Sequence, residues 1–190
     1  MTEQNKVTPE IMHLFVLKSC RHACELCCNK FYDIEKIPVA MVEELKIVHT
    51  VCVTGGEPFL AGVELRFLIS NLRRHYENIK HLYVYTSTDG LIEYLENVPF
   101  ALKGIDGISF SPKTLTDWHR LEYISKKHKE INFLPSNRLY VFKDQQSTYE
   151  AEVKSHLIDG LKAEVIGRKW DKEFKTPGNE IFRRLPILLD

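Results

Sequence analysis

The feature that most narrows the folds open to this 190-residue chain is a regular alternation of short apolar runs with longer amphipathic ones. Runs dominated by apolar residues fall at 11–18, 49–54, 81–86, 106–110, 138–142 and 162–166. They read as strands buried on both faces, because polar residues do not alternate through them. Helical stretches lie between them at 39–48, 61–78, 91–95, 115–129 and 148–157. In the second of these, Leu65, Leu68, Ile69 and Leu72 share one face and Arg66, Arg73 and Arg74 the other. Pro38 suits a first helical turn, and Lys126, Lys127 and Lys129 suit a helix C-terminus. Strands separated by helices call for an α/β architecture, with parallel strands and helices outside. Six units fall short of a full eight-stranded barrel, and periodicity alone leaves an open sheet and a partial barrel equally available.

No shift in composition marks a linker, so residues 1–190 are expected to form a single domain. Residues 1–10 form a polar lead-in. Residues 167–190 form a C-terminal extension with a Pro177-Gly178 turn and a final apolar stretch that closes against the rest. Apolar residues make up 44% of the chain and charged residues 27%, ordinary values for a globular protein. The formal net charge is +0, so no global field draws the chain to nucleic acid or an anionic membrane. Nothing is long and apolar enough to span a bilayer, and the N-terminus lacks the plan of a signal peptide. A cytoplasmic location is expected, where thiols stay reduced.

Thiols matter here because four of the five cysteines fall between Lys18 and Lys30. Cys20, Cys24 and Cys27 form a C-x3-C-x2-C pattern directly after the first strand. Thiolates suit iron-sulfur clusters and zinc. Three of them around a four-iron cluster leave one iron open to an outside ligand. Zinc would need a fourth ligand, which His22 or Cys28 could supply. A disulfide framework suits neither the length nor the absence of a secretory signal. Cys28 and Cys52 read as small core hydrophobes.

The loop resembles the cluster-binding signature of the radical S-adenosylmethionine (SAM) enzymes. Leu26 departs from the aromatic residue usual there, and Asn29 fits a common variant. The resemblance implies that Cys20, Cys24 and Cys27 are the metal ligands of one 4Fe-4S cluster whose open iron chelates SAM. It also implies a partial (β/α)6 barrel of the radical SAM type, with cluster and SAM at the C-terminal ends of the strands. Gly55-Gly56-Glu57-Pro58, after the second strand, matches the family's GGEP segment, which contacts the amino group of SAM. Glycines there let a backbone come close to a ligand.

Further cofactor contacts are expected at strand ends, each beside an ordinary reading. Thr86 to Gly90, including Ser87, resembles the family's turn after the third strand, although Asp-Gly is also a common ligand-free turn. Ser109 and Ser111 stand where the family places a polar residue against the ribose, but Ser111 also suits a helix cap. Lys143 suits a carboxylate of SAM or substrate, or simply solvent. Val165 to Gly167 suits the adenine. The histidines show no ligand spacing, and Tyr83, Tyr85 and Tyr140 read as packing residues.

The implied activity is reductive cleavage of SAM to methionine and a 5′-deoxyadenosyl radical, which takes hydrogen from a substrate. No catalytic residue is assigned. The electron would come from a partner such as flavodoxin or ferredoxin, and the substrate is a small molecule or a protein. Ser111-Pro112-Lys113 is similar to a stretch in 7-carboxy-7-deazaguanine synthases, but Cys28-Asn29 replaces their Asp-Thr. The small size resembles enzymes that activate glycyl-radical proteins. A non-catalytic iron-sulfur or zinc binding module is the alternative.

Overall fold

The computed structural model describes residues 9–21, 27, 33–143, 149–150, 160–169 and 176–189. Seven strands form one parallel sheet: β1 (Ile11–Leu17), β2 (Thr50–Gly55), β3 (His81–Thr86), β4 (Gly107–Phe110), β5 (Arg138–Phe142), β6 (Glu164–Arg168) and β7 (Glu180–Leu189). Their order across the sheet is β6-β5-β4-β3-β2-β1-β7, so β6 and β7 are opposite edges and the sheet is open. The helices are α1 (Val42–Leu45), α2 (Gly62–His75), α3 (Leu91–Asn97) and α4 (Leu115–Lys127). The structure is therefore α/β with parallel strands. The helical stretch expected at 148–157 lies almost wholly outside the described residues.

One face of the sheet and the helices share a core. Met12, Leu14, Val51, Val53, Leu82, Val84, Ile108, Phe110, Leu139 and Val141 alternate along their strands and meet α2, α3 and α4. From the helices come Leu65, Ile69 and Leu72, then Leu91 and Tyr94, then Trp118, Leu121 and Ile124. Each such side chain contributes about 1.5–3 kcal/mol through burial, which is what holds short amphipathic helices in place. Helix α4 is started by a capping box. Thr114 Oγ1 accepts from Asp117 N (3.2 Å) and Asp117 Oδ2 accepts from Thr114 N (2.9 Å).

Three expectations change. The first helix is a single turn, because Pro38 to Ala40 belongs instead to the flank of β7. Ala40 N donates to Arg184 O (2.9 Å) and Arg184 N to Pro38 O (3.0 Å). The sixth strand begins two residues later than expected, because Lys162 is bound by two asparagines. Its N–H donates to Asn132 Oδ1 (2.7 Å), and its carbonyl accepts from Asn137 Nδ2 (3.3 Å). The closing apolar stretch is a full strand, β7, running parallel to β1 with Ile11 opposite Glu180 and Phe15 opposite Arg184. Pro186 is tolerated there because β7 is an edge strand. Among the described residues no helix is long and apolar enough to cross a membrane.

Candidate functional site

The carboxyl ends of β1, β2 and β3 meet at one place. Gly56 N donates to Leu17 O (2.7 Å) and Glu57 N to Ser19 O (2.9 Å). These bonds tie the segment after β2 to the base of the cysteine loop. The approach is too close for any side chain. A Cβ on Gly56 would lie 1.9 Å from Ser19 O, and one on Gly55, whose φ is +136°, 2.5 Å from Leu17 O. The space expected to admit a ligand is therefore filled, on that side, by the chain's own loop.

Cys20 is exposed and Cys27 half-buried. Cys24, Leu26, Cys28, Asn29 and His22 lie outside the described residues. Among the described residues no three metal-ligating side chains come together. Two ion pairs flank the loop: Lys18 with Glu35, and Arg21 bidentate with Glu93 of α3 (2.8 and 2.9 Å). Both are exposed, so they add little stability.

Glu57 is only 1% exposed. Its Oε2 accepts from Ser87 N (2.9 Å) and Ser87 Oγ (3.0 Å), while its Oε1 has no partner among the described residues. Burial pushes its carboxyl up to about 8, outweighing the hydrogen bonds from Ser87 and the nearby Thr86 hydroxyl that pull it down. The Ser87 turn is held in an uncommon shape, with Thr88 buried at φ 90° and Gly90 at φ 73°. Thr88 N donates to Thr86 Oγ1 (2.8 Å), and Thr88 Oγ1 donates to Asp117 O (3.2 Å). Arg120 reaches Asp117 (3.5 Å) and Asp89 (3.6 Å). The start of α4 thus braces the turn that presents Ser87 to Glu57. Strain of this kind persists only where surroundings enforce it.

The other expected residues scatter more widely. Pro58 opens a buried turn whose Phe59 packs on Tyr94 (4.9 Å between rings). Ser111 is half-buried at the end of β4, where its N–H donates to Thr86 O (2.7 Å). The cap of α4 is Thr114, not Ser111. Lys143 is exposed just past β5. Val165 pairs with Leu139, whose side chain faces the helices, so Val165 lies on that face and Ile166 on the other.

Ser109 belongs to the inner face, opposite the helices, which is lined by aromatic rings. Phe182 stacks on His13 (4.6 Å), His13 approaches Tyr85 (6.2 Å) and Tyr85 stacks on Tyr140 (5.8 Å). The rings of β1, β3 and β5 meet across the intervening strands because small residues lie between, Cys52 on β2 and Ser109 on β4. Burial pushes the Cys52 thiol up to about 12 and the Tyr85 phenol well above its usual value, so both stay neutral. Burial also lowers His13, against the Glu180 carboxylate bonded to it at 2.9 Å.

Sequence reasoning passed over Arg21 and Glu93. Arg21 stands between two cysteines, but a partner 72 residues away leaves no local signal. No family model matches the chain, and no curated protein matches it.

The residues present fit an iron-sulfur cluster with SAM beside it in donor chemistry. Cys20 and Cys27 supply soft donors. A buried carboxyl oxygen with no hydrogen-bond partner among the described residues, on the segment bonded to Ser19, suits an ammonium group.

Proposed function

We propose that the chain is a radical SAM enzyme built on a partial (β/α)6 barrel. In this reading Cys20, Cys24 and Cys27 hold one 4Fe-4S cluster, and Gly55 to Pro58 hold SAM next to it. The observation that carries the reading is Glu57 Oε1, buried and without a hydrogen-bond partner among the described residues, on a segment whose backbone is bonded to Ser19, one residue before Cys20. The chemistry supplied by the bound group is one-electron cleavage of SAM to methionine and a 5′-deoxyadenosyl radical that takes hydrogen from substrate.

The chain's own residues bind, orient and shield. Glu57 takes the SAM ammonium, and Ser87 fixes the rotamer of Glu57 through two hydrogen bonds. In this reading Ser111, just past the end of β4, is assigned to the ribose, and Lys143, just past the end of β5, to a carboxylate. Contact with the adenine falls to the β6 backbone and Ile166, since Val165 lies on the helix side. The electron arrives from a partner such as flavodoxin or ferredoxin, and the substrate follows either the 7-carboxy-7-deazaguanine synthase or the glycyl-radical-activating pattern.

The test is anaerobic reconstitution with iron and sulfide, followed by SAM and dithionite, with 5′-deoxyadenosine quantified. Iron loading with product is expected, and Cys24→Ala should lose the brown colour. Iron loading without cleavage under any reductant, or a zinc ion saturated by protein ligands, overturns the reading.

A further inference from the structure

We infer that the inner face of the sheet binds the oxyanion of a substrate, at a site centred on Arg138, Ser109 and the Tyr85–Tyr140 pair. The register brings these groups together. Tyr85 lies opposite Ser109, Ser109 lies opposite Arg138, and Tyr140 follows Arg138 by two residues on the same face of β5.

What these groups share is an excess of donors. A guanidinium carries five N–H groups and accepts nothing. Arg138, half-buried, lies over the Tyr83 ring, 4.1 Å from its centroid, and is hydrogen-bonded to the Tyr140 hydroxyl, but among the described residues it forms no ion pair. Its register neighbour Glu164 is exposed on edge strand β6 and is not bonded to it. The other carboxylate of this face, Glu180, is engaged by His13. Ser109 Oγ is fully buried and has no partner among the described residues. The Tyr85 and Tyr140 hydroxyls stand 3.4 Å apart, longer than an ordinary O–H···O bond; Tyr140 also has Arg138 as a hydrogen-bond partner, and Tyr85 has the Cys52 thiol. Burial keeps Tyr85 protonated.

More positive charge surrounds the same rings. Arg168 of β6 lies over Tyr140 (5.5 Å) and Lys113 over Phe142 (3.6 Å). For Arg138 and Arg168 a ring face is a weaker partner than a carboxylate would be. Arg138 is half-buried and Arg168 exposed, so their spare N–H groups can turn to solvent, whereas the fully buried Ser109 hydroxyl is costly unless something fills it. A negatively charged oxygen group, a carboxylate or a phosphate, is the ligand that completes this set.

Position separates this ligand from the cofactor. Glu57 lies just past the carboxyl end of β2, whereas Arg138 opens β5 and leans towards Tyr83, away from the strand ends. The word substrate rests on the radical SAM reading. Anion binding itself needs neither iron nor SAM, so the two can fail separately.

The experiment uses the metal-free full chain and three probes of similar shape: benzoate, phenyl phosphate and the neutral benzamide. Binding is followed by calorimetry and ligand-observed NMR. At least one of the two anions should bind, and benzamide should not. Preference for benzoate marks a carboxylate site, and preference for phenyl phosphate marks a phosphate site. Arg138→Gln should weaken the anion at least tenfold. Ser109→Ala should weaken it several-fold while leaving Tm unchanged or raised, since it deletes an unsatisfied buried hydroxyl; a packing role alone would not move binding and stability in opposite directions. The proposal is overturned if no anion binds, if benzamide binds as well as benzoate, or if both variants bind like wild type. Displacement of benzoate by saturating SAM overturns the substrate assignment.

Discussion

Replacing Glu57 by glutamine tests the site without any cofactor. The folded carboxyl stands at about 8, against an ordinary value of 4.5. At pH 7 the unfolded carboxyl has ionised and the folded one has not, which costs the fold about 3 kcal/mol. Below pH 4.5 both states are protonated and the cost vanishes. Between pH 4.5 and 8 the native state holds the extra proton, so stability falls as pH rises, by about 1.4 kcal/mol per pH unit. Above pH 8 both states are ionised and the loss levels off. Glutamine does not titrate and still offers an oxygen to Ser87. Its buried amide NH2 takes back about 1–3 kcal/mol, so the net gain at pH 7 is small. The slope is the firmer quantity: the gap between Glu57→Gln and wild type should move by about 3–4 kcal/mol in favour of the variant from pH 5 to pH 8. Urea denaturation of the metal-free chain, followed through the fluorescence of buried Trp118, measures it. Parallel pH profiles for the two proteins would refute the reasoning. A ligand whose ammonium pairs with Glu57 should release a proton on binding and flatten the wild-type profile.

Gly56→Ala places a methyl group 1.9 Å from Ser19 O, so the cysteine loop must move. Stability should fall by about 2 kcal/mol or more, with clear loss of iron per chain on reconstitution; unchanged iron content would mean that the seat is not needed. Asn137→Ala should destabilise the fold by about 2–4 kcal/mol in urea. It removes the acceptor of Ile108 N (3.0 Å) and the donor to Ile131 O (2.9 Å) and Lys162 O, and a loss below about 1 kcal/mol would contradict that role.

The parallel α/β plan was legible because helix and strand periods differ, and the runs from Ile11 to Phe142 kept to them. The strand-end placement of Gly55 to Pro58 and of the Ser87 turn was equally readable. Interactions between distant segments were not. Pro38 to Ala40 has good helix chemistry, but its backbone is captured by Arg184, far along the chain. Lys162 looks like a strand residue until Asn132 and Asn137 claim its amide and carbonyl. The glycines announced a close approach, yet the sequence could not say that the neighbour is Ser19. The inner face was hidden because Cys52 and Ser109 look like fillers, and only their register shows that they let rings on alternate strands touch.

The pairing of β7 with β1 joins residues 167 positions apart, as the His13 to Glu180 contact shows. On the ribosome the first strand emerges early and waits with a bare flank until the last has been made, since contacts of such long separation form late. The thiol-bearing segment hangs directly from that waiting strand. A chain halted before residue 180 would thus offer neighbouring chains an unprotected edge beside reactive sulfur, so interrupted translation should yield aggregates rather than a smaller working protein.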